Sequence, residues 1–299
     1  MNKIINADAL EAMRTLPDSC CRTCITSPPY YGLRDYGTAG QIGLEDTPDQ
    51  YIENLVKIFR EVRRVLKDDG TLWVNIGDSY TQKNLNGIPW LLAFALRSDG
   101  WYLRSDIIWQ KPNAMPESVK DRPTRAHEYI FLLSKSSRYY YDAEAVKEPA
   151  VGFYNAAPAG SAGTGKPNAR RRGNSRTFRG GGAYTHDRAQ NNSATVERES
   201  HGLAPNESGK RNRRSVWTIA TRPYKGAHFA TFPEELARPC VLAGSRPGDT
   251  VLDPFAGSGT TGAVAAQEGR DFIGIEINPD YCEIIRQRLD ACCQKGAKP

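Results

Sequence analysis

The sequence predicts an α/β protein built on a doubly wound, mostly parallel sheet. Short apolar runs with strand character alternate with stretches whose apolar residues recur at helical spacing, which is typical of parallel strands covered by helices. Polar or glycine-rich loops directly follow several of these runs, as expected at the carboxyl edge of such a sheet. The chain has 299 residues, 39% hydrophobic and 25% charged, enough for a substantial core.

The elements are predicted in order as follows. Strands are expected at residues 3–7, 20–26, 71–76, 102–109 and 127–133, with a further strand possible at 139–141. Helices are expected at residues 9–16, from Pro48 to a stop at Asp68-Asp69-Gly70, and from about Pro89 to just before Gly100. The pattern breaks near Asp142 and resumes near Ser215.

Composition narrows the class of protein. No apolar run approaches the roughly 20 residues of a membrane span, and the N-terminus lacks the apolar segment of a signal peptide, so we expect a cytoplasmic protein. The seven cysteines are an odd number and include two adjacent pairs, which fits reduced thiols. Cys21 and Cys24 have no second pair at ligand spacing, and we predict no metal site.

The stretch Thr26-Ser27-Pro28-Pro29-Tyr30 follows the second predicted strand. Two adjacent prolines have fixed φ and no N–H, so the Pro28 carbonyl is held rigidly with few local donors. Ser27 adds a hydroxyl, and Tyr30 an aromatic face. This combination suits an exocyclic amine on a planar base. Considered alone, the stretch is better explained as a proline-rich surface turn.

A second motif, Val251 to Gly262, combines a buried strand with a glycine turn that opens a helix. Glycines permit close approach to the backbone, and a helix N-terminus offers unpaired N–H groups. Asp271 to Glu276 then forms a strand ending in a carboxylate suited to ribose hydroxyls. The pattern also matches a dinucleotide fold. The lead-in Asp253-Pro254-Phe255, and a position so near the C-terminus, argue against a pyridine nucleotide.

A basic segment interrupts the α/β pattern. Residues 152–214 are rich in Gly, Ala, Asn, Ser and Arg and show little periodicity, which predicts a long loop or small irregular subdomain. Its charge is one-signed, so a nucleic-acid backbone is the expected counterpart; a solvated insertion without a partner is the alternative. The candidate DNA-contacting residues are Arg170, Arg171, Arg172, Arg176, Arg179, Lys210, Arg211, Arg213 and Arg214.

The early Thr26-Ser27-Pro28-Pro29-Tyr30 and the late Asp253 to Thr261 resemble the paired signatures of the S-adenosylmethionine-dependent DNA amino-methyltransferases, in their β-type order. The resemblance implies a circularly permuted, Rossmann-like methyltransferase fold of bacterial, archaeal or phage origin. It assigns residues 1–145 to the catalytic half, 146–214 to target recognition and 215–299 to the cofactor half. It also implies duplex DNA as partner and a possible cognate restriction endonuclease.

The resemblance assigns roles residue by residue. Ser27, Pro28, Pro29 and Tyr30 would form the target-amine pocket, with Tyr30 stacking on a flipped base. Asp8 would meet the cofactor adenine, Glu276 the ribose hydroxyls, and Asp253 would support the glycine turn. The full set of implied S-adenosylmethionine contacts is Asp8, Ala9, Thr231, Phe232, Asp253, Phe255, Gly257, Ser258, Gly259, Thr260, Glu276 and Ile277.

The most detailed predictions concern which base is methylated and which class of function the protein has. Within the family, serine before Pro-Pro is associated mostly with cytosine N4 and aspartate with adenine N6, so Ser27 favours N4-methylcytosine. Adenine N6 is the alternative base. A catalytically inactive DNA-binding protein with the same fold is the alternative class, and an NAD-linked enzyme is a more distant one.

Overall fold

The structure, a computed structural model, describes residues 2–35, 37–38, 40–150, 209–221 and 232–296. The chain divides into two compact units: Met1–Lys147 with Asn212–Pro299, and Glu148–Arg211. In the first unit a mostly parallel sheet is flanked by helices, so the predicted α/β class is confirmed. In the part of the chain that is described, no helix combines the length and apolar character needed to cross a bilayer.

The elements alternate along the chain as expected. The strands are β1 (Lys3–Asn6), β2 (Cys21–Thr26), β3 (Leu66–Ile76), β4 (Tyr80–Thr81), β5 (Asn84–Leu85), β6 (Tyr102–Gln110), β7 (His127–Ser134), β8 (Glu148–Pro149), β9 (Lys210–Arg211), β10 (Val216–Thr218), β11 (Thr250–Asp253) and β12 (Asp271–Glu276). The helices are α1 (Ala9–Arg14), α2 (Pro48–Val65), α3 (Ile88–Ser98), α4 (Glu234–Gly244), α5 (Thr260–Gln267) and α6 (Pro279–Gly296).

The main sheet has the strand order β1-β12-β11-β2-β3-β7-β6-β10. Neighbouring strands are parallel except at β7, which runs antiparallel to both β3 and β6. The late strand β11 pairs in parallel with the early strand β2, with Val251 opposite Thr23. The two predicted loops, after β2 and after β11, therefore leave neighbouring strands at the same edge of the sheet.

Helix α2 shows how local sequence sets an element. Thr47 caps its N-terminus by accepting from the Gln50 N–H, and Pro48 occupies the first turn. One face is buried against the sheet, including Leu55 and Phe59 at 0% exposure. The tyrosine on this face, Tyr51, donates its hydroxyl to the Pro29 carbonyl at 2.7 Å. The helix thus supports the proline loop directly.

The predicted end of the second helix is wrong. We expected Asp68-Asp69-Gly70 to end the helix before a strand at Thr71, but β3 already begins at Leu66, opposite Cys21. Asp69 instead accepts an ion-pair hydrogen bond from Arg22 of the neighbouring strand, which accommodates its charge within β3.

The possible strand at residues 139–141 is absent. Tyr140 donates its N–H to the Asp69 carbonyl, and its ring lies against the guanidinium groups of Arg22 and Arg246, 5.9 and 4.4 Å from the ring centroid. Cation–π contacts and one backbone hydrogen bond therefore hold Tyr140 in place without strand pairing.

The second unit is described only at its ends. There β8 and β9 form an antiparallel pair, with Glu148 opposite Arg211, and the two side chains form an ion pair at 2.9 Å. Residues 151–208, which include most of the predicted recognition segment, lie outside the described residues. The functional division at residues 145 and 214 stays a prediction.

Candidate active site

One cavity of about 670 Å³ brings the two predicted loops together. Its wall includes Ser27 and Pro28 from the loop after β2, and Phe255 and Gly257 from the turn after β11. This volume lies within the roughly 300–1,000 Å³ range of small-molecule sites. The residues that sequence analysis placed more than 200 positions apart thus face one space.

The proline loop presents one backbone acceptor to this cavity. The Pro29 carbonyl is occupied by the Tyr51 hydroxyl at 2.7 Å. Among the described residues, none donates a hydrogen bond to the Pro28 carbonyl. Since Pro28 lines the cavity, this oxygen is the acceptor that the loop leaves for a ligand.

A hydrogen-bond network fixes the side chains beside Pro28. Asn75 Nδ2 lies 3.3 Å from Ser27 Oγ, 2.9 Å from the Tyr30 hydroxyl and 3.1 Å from Glu128 Oε2. The Tyr30 hydroxyl donates to Glu128 Oε2 at 2.7 Å, and Lys111 forms an ion pair with the other oxygen of Glu128. Burial and the neighbouring Glu128 charge raise the pKa of Tyr30 well above its usual value, so its hydroxyl stays protonated.

Asp253 ties the glycine turn to the proline loop. Its carboxylate accepts from the Thr26 hydroxyl at 2.6 Å, the Phe255 N–H at 3.1 Å and the Thr261 hydroxyl at 2.8 Å. The side chain is buried, and this burial raises its pKa to about 7 despite the three hydrogen bonds. Asp253 lies behind the cavity wall and fixes the two loops relative to each other.

Glu276 shapes the other end of the turn. One carboxylate oxygen accepts from the Gly257 N–H at 2.8 Å and the other from the Asn278 N–H at 2.9 Å. Burial raises its pKa, and these backbone bonds oppose that shift. A carboxylate has about four acceptor positions, so Glu276 retains acceptor capacity for a ligand's hydroxyl.

The start of α5 is held from outside the cavity. Arg288 of α6 donates to the Ser258 carbonyl at 2.9 Å, to the Ser258 hydroxyl at 3.2 Å and to the Thr260 hydroxyl at 3.3 Å. Arg288 is itself paired with Glu234 of α4 at 3.0 Å. These contacts fix the start of α5, while each of the two hydroxyls still has its own proton to donate.

Most of the predicted site residues line this cavity. They are Asp8, Ala9, Ser27, Pro28, Pro29, Tyr30, Phe232, Phe255, Gly257, Ser258, Thr260, Glu276 and Ile277. Asp253 and Gly259 lie behind its wall; Gly259 has φ +79° at the N-cap of α5, and a Cβ there would meet Ile285 at 3.0 Å. Thr231 lies outside the described residues. Asp8 caps α1 through the Leu10 and Glu11 N–H groups while bordering the cavity.

The predicted DNA-contacting residues are only partly described. Arg170, Arg171, Arg172, Arg176 and Arg179 lie outside the described residues. Arg211 is paired with Glu148, and the Arg213 guanidinium lies 4.6 Å from the centroid of the Trp217 ring. Lys210 and Arg214 are exposed.

Sequence analysis assigned no individual role to three polar residues of the site: Asn75, Lys111 and Glu128. Asn75 is 6% exposed near the end of β3, where a polar residue inside an apolar strand was the available signal. Lys111 follows β6, and Glu128 is the second residue of β7. No local pattern marks these two, because their role arises from the pairing of β6 with β7.

The site has the shape and chemistry required for an adenosyl cofactor with an attached amino acid. A Cβ added at Gly257 would meet only the Phe255 carbonyl oxygen, at 3.9 Å, so the space above this glycine is open. Phe255 and Ile277 supply apolar surface, and Asp8 and Glu276 supply acceptors for polar groups. Within the described ranges, no group of three or more metal-ligating side chains is arranged to hold a metal ion.

The fold and the site together define an α/β methyltransferase. A family model described as DNA methylase, for N6 and N4 methylation, matches residues 21–287. The chain is 47% identical to the Type II methyltransferase M.Cfr9I of Citrobacter freundii, over 96% of this chain and 87% of the relative. It is 46% identical to M.SmaI of Serratia marcescens, over 96% and 90%.

Solved structures share the architecture. A PvuII DNA methyltransferase described as cytosine-N4-specific matches 98% of this chain and 91% of its own, with a TM-score of 0.66 at 19% identity. An M1.HpyAVI–SAM complex matches 97% and 100%, with a TM-score of 0.55 at 19% identity. The chain therefore belongs to the N6/N4 DNA methylase family and is a site-specific, S-adenosylmethionine-dependent DNA methyltransferase, as the sequence predicted.

Proposed function

We propose that this enzyme transfers a methyl group to the exocyclic N4 amine of a cytosine flipped out of duplex DNA. The observation that carries the proposal is that Ser27, Pro28 and Gly257 line one cavity, and that no described residue donates a hydrogen bond to the Pro28 carbonyl. A base that carries an exocyclic amine can enter this cavity together with the cofactor. The base must leave the duplex to reach it.

The proline loop supplies the chemistry on the DNA side. An aromatic amine is a poor nucleophile because its lone pair is delocalised into the ring. Two acceptors, Ser27 Oγ and the Pro28 carbonyl, can take its two N–H groups and favour a pyramidal nitrogen whose lone pair is available. Tyr51 holds the loop through Pro29, so these acceptors are positioned before the base arrives.

The glycine turn supplies the cofactor side. S-adenosylmethionine, when bound, provides a methyl group activated on a sulfonium. We assign the methionine end to Phe255, Gly257 and Phe232, and the ribose hydroxyls to the carboxylate of Glu276. Asp8 borders the adenine end. The hydrogen bond between Asp253 and Thr26 fixes the distance between this turn and Ser27, which sets the approach for in-line transfer.

The choice of cytosine rests on Ser27. A serine in this position is associated within the family mostly with N4 methylation of cytosine, and the N6/N4 family includes both amines. The Tyr30 ring packs closely on Gly77, where an added Cβ would lie 2.7 Å from the ring. We assign Tyr30 the stacking surface for the flipped base.

The recognition and partner assignments extend the proposal. We assign phosphate contacts to the basic residues of segment 146–214, since one-signed arginine clusters favour the DNA backbone. We also propose a cognate restriction endonuclease that cuts the same site, as the Type II names of the relatives suggest. DNA from cells expressing the methyltransferase should then resist that nuclease.

Nucleoside mass spectrometry of DNA incubated with enzyme and cofactor tests the proposal. We expect N4-methylcytosine from the wild type, and a transfer rate lowered by roughly 100-fold or more in Ser27→Ala with cofactor binding retained. Ser98→Ala, an exposed serine at the end of α3, is the matched control and should behave as wild type. N6-methyladenine without methylcytosine would overturn the cytosine assignment, and cofactor binding without transfer to any DNA would favour the inactive DNA-binding protein.

A further inference from the structure

We propose that Glu128 is a positioning residue that sets the direction of the hydrogen bonds around Ser27, so that Ser27 presents a lone pair to the target amine. This inference rests on the proposed function, in which Ser27 accepts an N–H of that amine. Glu128 can set this direction because it contacts three neighbours, Lys111, Tyr30 and Asn75, at one wall of the cavity.

The donor and acceptor roles in this hydrogen-bond network are set first at the Glu128 carboxylate. One oxygen is held in an ion pair by Lys111, which leaves the other for Tyr30 and Asn75. An ionised carboxylate can only accept hydrogen bonds. The Tyr30 hydroxyl, 2.7 Å away, must therefore donate to it, and Asn75 must turn its Nδ2 toward it. The opposite orientation of the amide would place Asn75 Oδ1 against the carboxylate.

The direction then passes to Ser27. Because the single Tyr30 proton is committed to Glu128, the Tyr30 oxygen is an acceptor for the Ser27 hydroxyl at 3.5 Å. Asn75 Nδ2 donates to Ser27 Oγ at 3.3 Å. The Ser27 proton is thus directed away from the cavity, and one lone pair remains for the incoming amine.

This direction matters because a serine hydroxyl can either donate or accept a hydrogen bond. If its proton pointed into the cavity, it would bind the amine lone pair that must attack the methyl group. A carboxylate at this position would be an obligate acceptor, but a hydroxyl needs its neighbours to make it one. Glu128 supplies that constraint through Tyr30 and Asn75, and it does not itself need to touch the base.

Glu128→Gln tests the inference with little change of shape. Lys111 should draw the amide oxygen to itself, which turns the amide N–H groups toward Tyr30 and Asn75 and reverses the network. We expect the single-turnover rate of methyl transfer to fall roughly 10- to 100-fold, with the S-adenosylmethionine Kd unchanged. Glu53→Gln, on the exposed face of α2, is the matched control and should retain the wild-type rate.

A double-mutant cycle separates direction-setting from simple packing. Tyr30→Phe removes the hydroxyl through which Glu128 acts and should also slow transfer. The double variant should be slower than Tyr30→Phe by a smaller factor than Glu128→Gln alone slows the wild type, because only the Asn75 path from Glu128 to Ser27 then remains. Additive losses would overturn the inference. So would wild-type transfer by either Glu128→Gln or Tyr30→Phe.

The same experiments distinguish this inference from the proposed function. Wild-type enzyme that leaves no methyl group on cytosine would overturn the proposed function. Wild-type enzyme that makes N4-methylcytosine, with an unaffected Glu128→Gln variant, would overturn only the role of Glu128. Thermal unfolding of each variant, with cofactor binding, establishes that the compared proteins are folded.

Discussion

Replacing Asp253 by asparagine should remove a pH-dependent cost to stability. Asp253 is 1% exposed, and burial raises the pKa of its carboxyl from about 3.8 to about 7. A group whose pKa is raised by folding binds its proton more tightly in the native state. Wild-type stability should therefore be greater below this range, and should decrease as the carboxyl ionises.

The magnitude follows from the two pKa values. Between them, stability falls by about 1.4 kcal/mol per pH unit, for a total of about 4 kcal/mol. The unfolded carboxyl is already ionised at pH 5, so about 3 kcal/mol of this change lies between pH 5 and pH 8. Above pH 8 both states are ionised, and the difference should become constant.

Asparagine can replace Asp253 while keeping a hydrogen bond to each of its three partners, with one N–H of its amide left without an acceptor among them. Its oxygen can accept from the Phe255 N–H and the Thr26 hydroxyl, as the carboxylate does. Its Nδ2 can donate to the Thr261 hydroxyl, which in turn can donate to the Ile25 carbonyl at 3.2 Å. The variant should therefore keep the turn and lose only the titration.

Urea unfolding at several pH values measures the difference. The wild-type free energy of unfolding, minus that of Asp253→Asn, should fall by about 3 kcal/mol from pH 5 to pH 8. Asp106→Asn, at an exposed position on β6, should show no comparable trend. A difference that stays constant across this range would refute the argument that burial sets the ionisation of Asp253.

Three further predictions concern packing and DNA binding. Tyr51→Phe removes the donor to the Pro29 carbonyl and should lower the free energy of unfolding by about 1 kcal/mol in urea titrations; no change would contradict a supporting role. Gly262→Ala would place a Cβ 2.6 Å from the buried Phe272 ring. Its overpacking cost of roughly 1–3 kcal/mol should exceed the ~1 kcal/mol gain in helix propensity, so an equal or higher thermal midpoint would contradict it. Alanine at residues 170–172 should make the slope of log Kobs against log salt less negative by about 2.7, and an unchanged slope would argue against phosphate contacts there.

Sequence analysis located the parts of the site that are local in the chain. The proline loop follows β2 and the glycine turn follows β11, and each carries its own turn chemistry. The parallel-strand rule placed both at one edge of the sheet, and in the structure β2 and β11 are direct neighbours.

The part of the site that sequence analysis did not assemble is formed by residues far apart in the chain. Asn75, Lys111 and Glu128 come from three different segments, and each is unremarkable within its own stretch. Antiparallel pairing of β7 with β3 and β6 brings them together. A polar network assembled by strand register has no sequence period, so these residues emerged only from the structure.

Local signals also misplaced elements where tertiary contacts prevailed. Asp68-Asp69-Gly70 has the composition of a helix stop and turn, yet β3 continues through it because Arg22 on β2 neutralises Asp69. The tyrosines at 139–141 have high strand propensity, but two guanidinium groups hold Tyr140 outside the sheet. In both cases arginine side chains from elsewhere in the chain contact the residues whose structure was misplaced.

The pairing of β2 with β11, reinforced by the Asp253–Thr26 hydrogen bond, makes the enzyme a candidate for fragment complementation. The residues that we assign to the amine lie before position 151, and nearly all of those that we assign to the cofactor lie after position 208. A chain divided between these positions would carry half of the catalytic cavity on each piece. Methylation of DNA by the two pieces would then report their reassociation along three strand pairs of the main sheet, β1 with β12, β2 with β11 and β6 with β10.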